Sequence, residues 1–178
     1  MPEEMEVPTE HLQESLKEAA EKSNNVWVLM VALTAAILAV LAAIASLLAS
    51  YHVNEAMIQQ LKASDQWAYY QAKGIKHDVL ETKIELLRSL DKRISAQDAS
   101  KLTDYDKQRK DIESSAREAE ISSAEHMEIH HILARAVTIF QIAIAVSAIA
   151  VLTRRKWMWY GSIILGMGGI IFLLQAIL

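Results

Sequence analysis

Cysteine is absent from the 178 residues, and only five glycines and two prolines occur among them. The first absence removes disulfides and thiolate metal ligands, and it fits either side of a membrane. No phosphate-cradling glycine loop, nucleophile elbow or His-Glu-x-x-His motif is present. An excess of one charge is missing as well. Net charge is -4 and the basic residues are interleaved with acids, which argues against a nucleic-acid surface. With no catalytic signature left, the chain is expected not to be an enzyme and to carry no cofactor.

What is present is segregation. Apolar residues make up 52 % of the chain and charged residues 22 %, and the two classes lie in separate blocks. Three apolar runs, 26–50, 133–153 and 157–178, are each long enough to cross a hydrocarbon layer as helix, which takes about 20 residues. The first run has no charge, nor has the third from Met158 onward; the second has only Arg135, near enough to its start to snorkel. Ala43-Ile44-Ala45 imitates a signal-peptide cleavage site. The acidic arm over 1–25, with Lys17 and Lys22 against seven glutamates, has the wrong flank for one, so a retained anchor is expected.

Arg154, Arg155 and Lys156 fill the tight turn between the second and third runs. Lysine and arginine in short loops resist translocation, so this turn and the amino terminus are expected inside, and the long charged stretch and carboxyl terminus outside. Trp27, Trp157, Trp159 and Tyr160 would then share one interface.

The charged stretch, 51–132, reads as helix. From Tyr51 to Ser95 proline is absent and Gly74 is the only glycine, so nothing stops the first apolar helix from running on for roughly 65 Å. Val53, Met57, Leu61, Ser64, Ala68, Ala72, Ile75, Val79, Thr82, Leu86 and Leu90 form a stripe at steps of three and four. Small polar residues at 95–103 suggest the turn, and a returning pattern through Ile112, Ala116, Ala119, Ser123, Met127 and His130 leads into the second run. The expectation is an all-α integral membrane protein with three transmembrane helices. A long extramembrane antiparallel helical hairpin would be continuous with the first two. The return arm offers Ser114, Ser115, Ala116, Ala119 and Ser122-Ser123-Ala124, which permit close approach but bury little apolar area. The stripe is therefore expected to pack against other subunits, as in a coiled coil. Small residues of the apolar runs, including the pair Ser162 and Gly166, would either help there or serve the three spans of one subunit on each other.

Three groups of residues are candidates for chemistry or binding. His52, Glu128, His130 and His131 come to similar depth in a hairpin, and Glu128 to His131 has the Glu-x-x-His spacing of carboxylate-bridged zinc or iron sites. A di-metal bundle needs two such motifs, so interfacial histidines without metal are the plainer reading. Trp67, Tyr69 and Tyr70 are either packing residues or anchors for a partner. Gln141 and Gln175 are the polar residues that a ring-shaped channel would turn toward its axis, although no ionisable group sits at mid-membrane.

Asp65-Gln66-Trp67-Ala68-Tyr69-Tyr70-Gln71-Ala72-Lys73, after one apolar run and before two more, resembles bacterial membrane proteins of domain-of-unknown-function family 4337. The resemblance implies a bacterial inner membrane and the three-span plan, and it supplies no catalytic residue. The reading is thus a homo-oligomeric membrane scaffold or interaction protein, with a protein partner on the hairpin, a channel, or an accessory metal-binding subunit as rivals.

Overall fold

The computed structural model describes residues 26–178, together with Glu14 and Glu18. The other residues of the expected acidic arm, Lys17 and Lys22 among them, lie outside the described residues. Among the described residues there are three long helices and no strand: α1 (Val26–Ser89), α2 (Ala96–Thr153) and α3 (Lys156–Ile177). Each holds a stretch long and apolar enough to cross a membrane. The described residues divide into an apolar unit, which contains 26–52 and Glu128–Leu178, and a charged unit, Val53–Met127.

Neither connection uses glycine. Residues 90–95 link α1 to α2, ahead of the 95–103 suggested by small polar composition. Asp91 adopts a left-handed conformation (φ 53°), its N–H reaches Arg88 O, and Lys92 N–H reaches Leu87 O. That pattern closes the last turn of a helix on itself. Ser95 then caps α2, its hydroxyl accepting Gln97 N–H at 3.2 Å, so the alanine and glutamine that follow are already helical. The second connection repeats the device, with Arg154 at φ 55° and Arg155 N–H reaching Ala150 O. Lys156 belongs to α3, leaving only Arg154 and Arg155 between helices.

In the apolar unit, α1 buries Val28, Val31, Ala35, Leu38, Ala42, Ala45 and Ala49, at steps of three and four. α2 answers with Leu133, Val137, Phe140, Ile144 and Ser147, and with a second facet of Ala136, Ala143 and Ala150. α3 lays its smallest residues inward: Ser162, Gly166 and Gly169, then Leu173. A methyl group built on Gly166 would meet Leu38 Cδ2 at 2.6 Å, so α3 approaches closely because no side chain intervenes. Ser147 donates to Ser162 at 2.9 Å in a buried contact, and Trp159 Nε1 donates to Thr34 Oγ1 at 3.3 Å. The small-residue face of α3, expected to serve either other subunits or the spans of its own chain, is thus occupied within the chain. The outer surface is apolar too, with Leu33, Leu47, Ile164 and Met167 exposed. Helices apolar all round are those of large cores or membrane spans.

In the charged unit the segments of α1 and α2 pair in opposite directions. Ala56 faces Ser123, Trp67 faces Glu120, Tyr70 faces Arg109 and Lys83 faces Asp98, so numbers rise along one segment as they fall along the other. On α1 the positions turned inward are Ala56, Gln59, Ala63, Gln66, Tyr70, Lys73, His77, Leu80, Ile84 and Leu87. They recur at alternating steps of three and four, a repeat of seven. The α2 face uses Tyr105, Arg109, Ile112, Ala116, Ala119 and Ser123 in the same rhythm.

Candidate functional site

Close approach at one end of the charged unit comes from Ala56, Ala63, Ala116 and Ala119, all buried. The gap is small enough for Ser123 Oγ to donate to Ala56 O at 2.9 Å. Farther along, aromatic rings and cations replace alkyl packing. Trp67 Nε1 donates to Glu120 Oε1 at 2.8 Å and its ring meets Tyr70 edge-on at 5.5 Å. The Arg109 guanidinium lies 4.7 Å from the Tyr70 ring centroid and donates to the Tyr70 hydroxyl at 3.1 Å. Lys73 Nζ donates to Gln108 Oε1 at 2.6 Å and sits between the Tyr69 and Tyr105 rings. The Arg117 guanidinium, 5.7 Å from the Trp67 ring, is pushed above its ordinary pKa by its hydrogen bond and attraction to Glu113.

Trp67 and Tyr70, read as either packing residues or anchors, make these contacts within the chain. Only Tyr69 of the three is exposed. Gly74 is buried beneath the Arg109 guanidinium, whose atoms would lie 3.7 Å from an added methyl group, an ordinary contact. Gly74→Ala should accordingly fit and stabilise the helix by about 1 kcal/mol through helix propensity. Thermal denaturation monitored by circular dichroism checks it; a fall in the midpoint would show that the guanidinium has no room.

The four candidate metal ligands are not gathered. His130 Nδ1 donates to Ala49 O at 2.9 Å, while His131 and Glu128 are exposed. Adjacent residues on a helix point about 100° apart, so although the His130 and His131 rings lie 5.6 Å centroid to centroid, only His130 turns toward α1. Among the described residues the one group of three whose donor atoms converge is His77, Asp78 and Glu81. Sequence reading passed over this group, although His77 and Glu81 are one turn apart. There Nδ1 lies 3.2 Å from Asp78, and Nε2 lies 3.3 Å from Asp106 on α2, so carboxylates take both ring nitrogens of a side chain that faces the seam. Of the pore candidates, Gln141 is half-buried in the apolar unit and Gln175 is exposed.

The stripe singled out in the sequence lies on a different face from the seam. Leu61 is 66 % exposed, Ile75 65 % and Val79 66 %; Met57, Leu86 and Leu90 are open as well. Soluble surfaces seldom carry so continuous an apolar line. Its repeat is eleven residues: Val53, Ser64, Ile75 and Leu86 form one row, and Met57, Ala68, Val79 and Leu90 a second. An eleven-residue repeat gives about 3.67 residues per turn, close to that of an undistorted helix, so the stripe runs nearly straight.

The family model described as Domain of unknown function (DUF4337) matches residues 27–178. The chain belongs to that family. No curated protein and no solved structure matches it. The match to DUF4337 takes in all three apolar helices, the aromatic and cationic seam, and the exposed stripe.

Proposed function

We propose that this DUF4337 member is a membrane-anchored, non-enzymatic scaffold that assembles with copies of itself through an extramembrane helical hairpin. One observation carries the reading: a charged helix pair keeps an uncharged, apolar line exposed from Met57 to Leu90 while its own seam is filled by other residues. The three apolar helices support a bilayer setting, because their outward faces offer water nothing to hydrogen-bond. Arg154, Arg155 and Lys156 support an orientation with that turn inside and the hairpin outside, in a bacterial inner membrane.

Self-association follows from the stripe and the membrane together. Copies inserted with one topology stand parallel, and parallel copies bring each level of the stripe against the same level of the next. From Val53 to Leu90 the line contains no charge, so no level places like charges together. Small residues at Ser64, Ala68 and Ala72 let the middle approach closely, while Leu61, Ile75 and Val79 supply apolar area on either side. Native mass spectrometry of the detergent-solubilised particle is expected to give an integral number of chains greater than one. A single chain, both in mild detergent and after transfer to bilayer discs, would overturn the proposal.

A further inference from the structure

Arg135 is the only arginine or lysine of the apolar unit, among those described, outside Arg154, Arg155 and Lys156. It is exposed, and no ion pair or hydrogen bond engages its side chain among the described residues. At the start of the apolar run its guanidinium can reach the interface, where an anion can meet it. The surface around it is built for one. A shallow groove of about 460 Å³ is lined by His131, Ala134, Arg135, Thr138 and Ile139 of α2 and by Phe172 of α3. His131 and Arg135 are four residues apart and so share one face of α2, at the end of the groove nearer the charged sequence. Ile139 is one turn farther into the apolar run, and Phe172 adds an aromatic wall from the neighbouring helix.

We propose that this groove binds an anionic phospholipid, with its phosphate on Arg135 and His131 and an acyl chain along Ile139 and Phe172. Guanidinium matches a phosphate with two parallel hydrogen bonds, and the imidazole N–H of His131 supplies a third donor. The apolar end requires an amphiphile: a free phosphate would leave Ile139 and Phe172 uncovered. Basic pockets between membrane helices take lipid headgroups by this chemistry. The inference rests on the bilayer reading of the three apolar helices.

The test uses the full-length protein. Its retention in membranes after an alkaline carbonate wash is measured first. Binding of phosphatidylglycerol and phosphatidylcholine to the purified protein is then compared by native mass spectrometry, for wild type, Arg135→Gln and Phe172→Leu, with inorganic phosphate as competitor. Both lipids offer a phosphate to Arg135, but the choline cation of phosphatidylcholine offsets that charge, so phosphatidylglycerol is expected to bind about tenfold more tightly. Arg135→Gln, a change at an exposed position, should abolish the preference. Phe172→Leu should weaken both lipids and keep the preference. Equal binding of the two lipids by wild type, or a preference that survives Arg135→Gln, would overturn the groove assignment while the bilayer reading stands. Displacement by inorganic phosphate alone would replace the lipid with a simple anion. Release of the protein by carbonate would overturn the bilayer reading and the groove with it.

Discussion

Glutamate at Leu61 and Val79 together is expected to reduce the solubilised particle to a single chain. Both positions are 66 % exposed within the chain, Leu61 on the open stripe and Val79 at the rim of a groove it shares with Asp98, Lys101 and Tyr105, so the buried contacts of the helix pair are kept. In a parallel assembly each substitution places carboxylates from neighbouring copies at the same level, and like charges brought together at an interface cost several kcal/mol. The two levels are about five helical turns apart and do not relieve one another. Ser114→Glu, at an exposed polar position on α2, is the control and should leave the mass unchanged. Circular dichroism separates dissociation from unfolding: the double variant should keep its helix content. A particle of unaltered mass would mean that the stripe is not the seam between copies.

Gly169→Ala is expected to be the most damaging single methyl group in the apolar unit. The added carbon would lie 2.6 Å from Phe140 Cε1 and 2.8 Å from Cδ1, against a ring that is itself fully buried. A planar ring held on all sides cannot give way as a chain end can. Overpacking of this kind costs about 1–3 kcal/mol, and the better helix propensity of alanine returns only about 1 kcal/mol. Gly166→Ala meets one terminal methyl of Leu38 and should be milder. Thermal denaturation in detergent gives the order, and Phe140→Leu in the Gly169→Ala background should recover part of the loss. Equal midpoints for all of these variants would show that α3 does not pack on Phe140.

The all-helical fold and its three apolar helices were legible because charge segregation and helix length are composition-level signals. The seam of the charged unit was not. Hydrophobic periodicity follows oil, and here the oil lies on the exposed eleven-residue stripe, whereas the seven-residue seam runs through Gln59, Gln66, Tyr70, Lys73 and His77. Three of those side chains meet partners across the seam: Tyr70 meets Arg109, Lys73 meets Gln108 and His77 meets Asp106. A stripe count has no access to pairings made across the turn. The turn itself was misplaced by several residues because Asp91 supplies the left-handed residue that glycine usually marks. The histidines read as one cluster because a hairpin brings His52 level with His130 and His131. Helical rotation sends His130 to the Ala49 carbonyl and leaves His131 at the surface beside Arg135.

Self-association through the stripe is tested most directly by single cysteines. The chain has none, so a thiol introduced at one position can form a disulfide between copies only with its own counterpart. Disulfides need Cα atoms about 4.4–6.8 Å apart, which parallel copies in register provide at the stripe. Mild oxidation of native membranes should give dimers of twice the chain mass for Leu61→Cys and for Val79→Cys, and none for Ser114→Cys. Stripe cysteines that stay reduced, or that link only to a protein of different mass, would contradict assembly of this chain with itself.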